Sequence, residues 1–328
     1  MLVHRRALYN MMHFADPREL EEVEPWQLES YRPLSEDELF GRLRKLAIEI
    51  PTLSSFMELA QDYESPDELC ESIARKREPL EQDQIYLALF ELWRRHLPEK
   101  RCPSVFCDEL DYQFSQYEKG NLELQEELQE IIDYFEQILD DHVDEGADPQ
   151  QVLKSFQMYC AHQLERFLYQ YTLDAIESNN IDYAYDLIDG FYRYLSTPIW
   201  FDFLYAHVEV IKNPKKGVDY LERIIKKVQT LDLAEEMLIY FAKERNHPLF
   251  CQLALKTLSL LECEEDFKEF LDMCALHSEN LELEAQKNAF NALLKKRAKV
   301  PFDAHFDKKD DDVKEVKKLI NQKLPIEQ

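Results

Sequence analysis

Apolar residues recur at steps of three and four along most of this chain, the period of an α-helix with one buried face. The clearest stripe is Leu124, Leu128, Ile131, Ile132, Phe135, Ile138, Leu139 and Val143, and Gly146 supplies its stop. Glu123, Glu126, Glu127, Glu130, Asp133 and Asp140 fall on the opposite, charged face. Helix starts are marked as well. Ser35 with Glu38 predicts a capping box, with Leu34 and Leu39 as a hydrophobic staple, and Ser65-Pro66 with Glu68 repeats the device. Asp148-Pro149, Thr197-Pro198 and Asn213-Pro214 read as cap-then-proline starts, and Asp232 with Glu235 reads as another box.

In the second half the pattern predicts short helices over 181–195, 198–211, 214–228, 233–245, 248–261, 264–276 and 279–298, joined by short turns that favour antiparallel neighbours. The segments AYDLI (184–188) and GVDYL (217–221) register at a period of 33. That is near the tetratricopeptide period, but the W-x2-L-G signature is absent and no third copy aligns. The expected fold is all-α: stacked antiparallel helices, either a helical-repeat-like α-solenoid or two fused helical bundles. Breaks in the pattern divide it into an N-terminal arm (1–33), a helical layer (34–146), a helical-repeat-like domain (147–301) and a charged tail with one short helix (302–328).

Composition narrows the picture. Only five glycines occur among 328 residues, so hairpin turn chemistry is scarce, and neither GxGxxG nor GxxxxGK[ST] occurs. The net charge of -27 opposes contact with nucleic acid. Seven cysteines, odd in number and scattered through helical stretches, suit free thiols. With no signal-peptide pattern and no apolar run of membrane-spanning length, the expected location is cytoplasmic, although a leaderless secreted effector shares these features.

Candidate chemistry begins at CPSVFCDELDYQF (102–114). Cys102 and Cys107 start a C-x4-C pattern, but zinc sites normally present two close pairs, and the candidate second pairs are Cys160 with His162 and Cys274 with His277. The structural reading is a loop followed by a helix after Ser104, with Asp108, Glu109 and Asp111 in or near its first turns, where carboxylates favour the helix dipole. Glu244 and His247 form one E-x-x-H, half of what a di-metal bundle requires. The run DDHVDEGADP (140–149) places Val143 and Val152 where a calcium loop needs oxygen ligands. No G-x-S-x-G is present. No cofactor or metal is expected.

Two features suggest a partner surface. Residues 108–189 hold 21 acidic against three basic residues, whereas 287–323 hold eleven basic against six acidic, including Lys295, Lys296 and Arg297. Opposite ends of this kind favour a basic or amphipathic protein partner, or self-association between the acidic middle and the basic C-terminal segment. In 190–211, Phe191, Tyr194, Trp200, Phe201 and Tyr205 read as core or as an aromatic peptide groove, with His207 at its edge paired to a carboxylate. The function expected is a non-enzymatic protein-protein interaction scaffold: an adaptor, chaperone-like binder or regulatory binder. The alternative is a helical-bundle metalloenzyme or metal-binding protein using Glu244 and His247.

Overall fold

The computed structural model describes residues 3–15, 23–100, 102–121 and 125–322. Among them the chain forms seventeen α-helices and one 3-10 turn, with no strand beyond an isolated bridge between Cys263 and His305. The fold is all-α, and neighbouring helices pack on one another. Two compact units form, one of Met1–Asp174 with Asp189–Ser196, the other of Ala175–Ile188 with Thr197–Gln328.

Unit 1 contains α1 (Arg5–Phe14), the 3-10 turn (Pro25–Gln27), α2 (Glu36–Lys45), α3 (Leu53–Ala60), α4 (Pro66–Ala74), α5 (Pro79–His96), α6 (Pro103–Glu118), α7 (Gln125–Asp144) and α8 (Pro149–Gln157), and most of α9 (Leu164–Glu177). Ser35 and Glu38 form the expected box: Ser35 Oγ accepts from Glu38 N, and Glu38 Oε2 accepts from Ser35 N at 2.7 Å. Ser65 caps α4. The side chains of α5 are buried without interruption from Ile85 to Trp93, so this helix is the centre of a core shared with Leu39, Phe56 and Leu69. On α7, Leu128, Ile132, Phe135 and Leu139 are buried and Glu126, Glu127, Glu130 and Asp133 are exposed; Leu124 and Glu123 lie outside the described residues. Gly146, at φ 101°, stops this run in the left-handed region that favours glycine.

The stretch 102–114 departs from its reading. α6 starts at Pro103, not after Ser104, which puts Asp108 and Asp111 past the first turn. Both are buried, so the helix dipole is not what compensates them. Asp108 accepts from Arg6 Nε (2.5 Å), Arg32 (2.6 Å) and Asn10 (3.0 Å). Asp111 accepts from the backbone N–H of Ala161 and of His162 and faces the His162 ring at 2.9 Å. Cys107 and Cys160 touch within the core.

Unit 2 is built largely of helical hairpins. α10 (Ile181–Tyr192) enters it; α11 (Ile199–Lys212) pairs with α12 (Pro214–Lys227), α13 (Leu231–Lys243) with α14 (His247–Thr257), and α15 (Glu264–Asn280) with α16 (Glu284–Arg297), while α17 (Asp311–Ile320) packs on α14 and α16. Starts at 181, 214 and 247 keep the period of 33 through a third copy. That copy was hidden because Phe250 stands where Ala184 and Gly217 stand. All three positions are buried, so the repeat persists as burial rather than as residue identity.

Two predicted starts are corrected. α11 begins at Ile199 with Pro198 as its N-cap, one residue later than the cap-then-proline reading puts it. α13 begins at Leu231 after Thr230, which places Asp232 and Glu235 inside the helix, where they form no box. Asp148 and Asn213 do cap α8 and α12. Among the described residues no helix is long and apolar enough to cross a membrane.

Candidate functional site

The aromatic stretch 190–211 divides between the units. Phe191 and Tyr194 are fully buried in unit 1, where Phe191 faces Phe135 and the Tyr194 hydroxyl bonds Asp140. In unit 2, Phe201 is buried and Trp200 is half-buried against the core. His207 is also buried, and its Nε2 has no hydrogen-bond partner. It does not pair with a carboxylate: its ring stacks on Tyr240 at 3.8 Å, and burial drives its pKa down to about 3, so the imidazole is neutral.

Tyr205 belongs to a different assembly. α10, α11 and α12 each contribute one tyrosine, Tyr185, Tyr205 and Tyr220, with ring centroids 6.0 Å apart for the first pair and 5.3 Å for the second. Asn213 caps α12 and Pro214 occupies its first turn, so the α11–α12 connection is tight. Gly217 makes the close approach possible, because a Cβ there would lie 2.4 Å from the backbone N of Val210. Tyr205 and Tyr220 are brought edge to face as a result.

Cations sit over these rings. Lys212 Nζ lies 5.1 Å from the Tyr185 ring, Lys216 Nζ lies 5.8 and 5.6 Å from Tyr205 and Tyr220, and the Arg223 guanidinium lies 5.6 Å from Tyr220. Glu209, mostly buried, fixes the centre: it accepts from Lys216 at 2.8 Å and from the Tyr205 hydroxyl. The hydrogen bond to Glu209, with burial, pushes the Tyr205 phenol up to about 12, while Lys216 holds the Glu209 carboxyl below its ordinary value. Tyr185 is exposed, as is Ile211 beside Lys212.

Sequence reasoning passed over this surface although a signal was present. Residues 212–227 hold six basic residues against two acidic ones in a strongly acidic chain. Of the basic cluster 295–297, Arg297 is used internally. Arg297 binds Glu264 (2.7 Å), Asp310 (2.9 Å) and Asp312 (2.9 Å), and lies over the Phe267 ring. Lys296 pairs with Asp312, and Lys295 is exposed.

The metal candidates do not converge. Glu244 is the C-cap of α13 and His247 begins α14, so the connection between the two helices separates them. His247 faces His277 at 3.2 Å, and the Cys251 thiol donates to Ile320 O. Among the described residues no three His, Cys, Asp or Glu side chains form a group that could hold a metal ion. No family model, curated protein or solved structure matches the chain.

Proposed function

We propose that this chain is a non-enzymatic protein-interaction scaffold, and that Tyr185, Tyr205, Tyr220, Lys212 and Arg223 of unit 2 contact a partner polypeptide carrying acidic side chains. One observation carries this reading: three tyrosines from three successive helices lie in contact, with cations over their faces, at a partly exposed surface where Tyr185 is open to solvent and Tyr205 and Tyr220 are half-buried. Tyrosine and arginine are the residue types that concentrate binding energy at interfaces, because a rigid ring contributes area at little entropic cost. Lysines and arginine around the rings favour an acidic partner and speed its approach. Stacked helical hairpins offer such surfaces without any reaction centre.

The test is photo-crosslinking from position 185. Chain carrying a benzophenone amino acid there is irradiated in native lysate, with and without Lys212→Glu and Arg223→Glu. An adduct that disappears in the reversed variant and fades as salt is raised supports the reading. An adduct indifferent to both changes, or no adduct at all, sinks it.

A further inference from the structure

We propose that a hollow in unit 1 binds a small carboxylate attached to a flat aromatic body. It encloses about 380 Å3 and is lined by α1, by the segment from the 3-10 turn to Pro33, and by α6. Small-molecule sites typically measure roughly 300–1,000 Å3. This site goes beyond the partner surface of unit 2 and does not rest on it.

The floor is polar and built in advance. Asp108, Asn10 and Ser115 line it and are each more than nine-tenths buried. Arg6 and Arg32 converge on Asp108, and Arg32 also reaches Glu109 Oε2, which Arg94 approaches at 3.6 Å. Arg94 and Arg95 share Glu91. In this network four guanidiniums meet three carboxylates, and Arg6, Arg32 and Asp108 are the members that line the hollow, two cations to one anion. The two arginines of the hollow are held in place by rings, Arg32 at 4.1 Å over Tyr112 and Arg6 at 4.8 Å over Phe90. Donors fixed before binding lose little freedom on binding.

The rim adds to the same sign. Lys119 is exposed there and makes no ion pair among the described residues. Glu29, the other carboxylate among the described lining residues, is paired with Arg42 at 2.6 Å. Tyr9, Tyr31 and Phe14 complete the walls, and Phe14 stays 37% exposed, a large ring left open to water at the hollow. In a chain of net charge -27, a locally positive hollow with aromatic walls selects an anion with a planar apolar body.

The full chain is titrated with 4-hydroxyphenylacetate and with indole-3-acetate by calorimetry and saturation-transfer NMR. Their primary amides serve as neutral matches and inorganic phosphate as a bare anion. The expected result is saturable binding of the carboxylates, at least about tenfold tighter than the amides or phosphate, and weakened about tenfold by Lys119→Glu. Lys119 and Phe14 lie outside the buried ion-pair network, so Lys119→Glu and Phe14→Ala keep the fold, as circular dichroism verifies. Equal affinity for acid and amide, phosphate binding as tight as the aromatic acids, no saturation, or indifference to both variants overturns the assignment.

Discussion

Lys216 reaches Glu209 at 2.8 Å, and the same carboxylate accepts the hydroxyl of Tyr205, so one anion fixes both the cation and the ring at the centre of the tyrosine surface. Glu209→Gln removes that anchor. The Tyr205 phenol should then titrate below about 12, nearer the ordinary tyrosine value of about 10, as read by ultraviolet absorbance of the phenolate. Stability should change little, because Lys216 is solvated.

Gly217→Ala places a methyl group against the backbone of Val210, where the added atom would lie 2.4 Å away. Backbone gives way less easily than a side-chain tip, so α11 and α12 must separate. The expected cost is about 1–3 kcal/mol. Urea unfolding measures it, and the Tyr205–Tyr220 contact should loosen in NMR spectra. Unchanged stability would show that the hairpin is packed less closely than described.

Asp108→Asn leaves Arg6 and Arg32 without the carboxylate on which both converge. Breaking a buried charge network from one side costs about 3–5 kcal/mol. The loss should appear as an earlier urea midpoint for unit 1, followed through Trp26 and Trp93 in a Trp200→Phe background. Although burial opposes ionisation, Arg6 and Arg32 hold the Asp108 carboxyl below its ordinary value. Its contribution is therefore complete above the unfolded carboxyl value near 3.9 and disappears as pH falls through the lower folded value.

Acid should weaken unit 2 through its histidines. Burial sets His207 at about 3 and, with His247, sets His277 at about 4, whereas an unfolded imidazole titrates near 6.5. Below 6.5 the unfolded chain takes up protons that the folded chain refuses, so stability falls with pH until about 4 to 3. His207→Phe should flatten that fall.

Glu235 works in the opposite direction. Burial and Glu269 raise its carboxyl to about 7, so its contribution is present below the unfolded value near 4.3 and is lost as pH rises toward 7. Glu235→Gln should raise stability at pH 8, by roughly 1 kcal/mol after allowance for partial exposure, and leave it unchanged at pH 4. Thermal melts across pH 4–8 separate the two signs.

Helix positions were legible because their causes are local. A cap such as Asn213 or Asp148 acts within three residues, and the stripe of α7 repeats within four, so both are written in neighbouring letters. Starts failed where a proline itself took the cap, as at Pro198, and where an acidic pair imitated a box two residues too late, as at Asp232 and Glu235.

The sites were less legible. The basic run 295–297 has the composition of a docking patch, yet Arg297 is consumed by Glu264, 33 residues away in sequence, and by two aspartates at the start of α17. The six cations of 212–227 were equally visible, but their meaning depends on Tyr185 and Tyr205 arriving beneath them from other helices.

By itself the sequence determined the helical class, most helix boundaries and the period of 33, since these follow from spacing along one strand of chain. Only the tertiary structure decided which charges are buried and which rings are offered to solvent. Arg6 and Asp108 are 102 residues apart, and no rule of local spacing can bring a cation to its anion over that distance. Burial is a property of what packs nearby in space, so the same aspartate reads as a solvated helix end in the sequence and is the centre of an ion network in the folded chain.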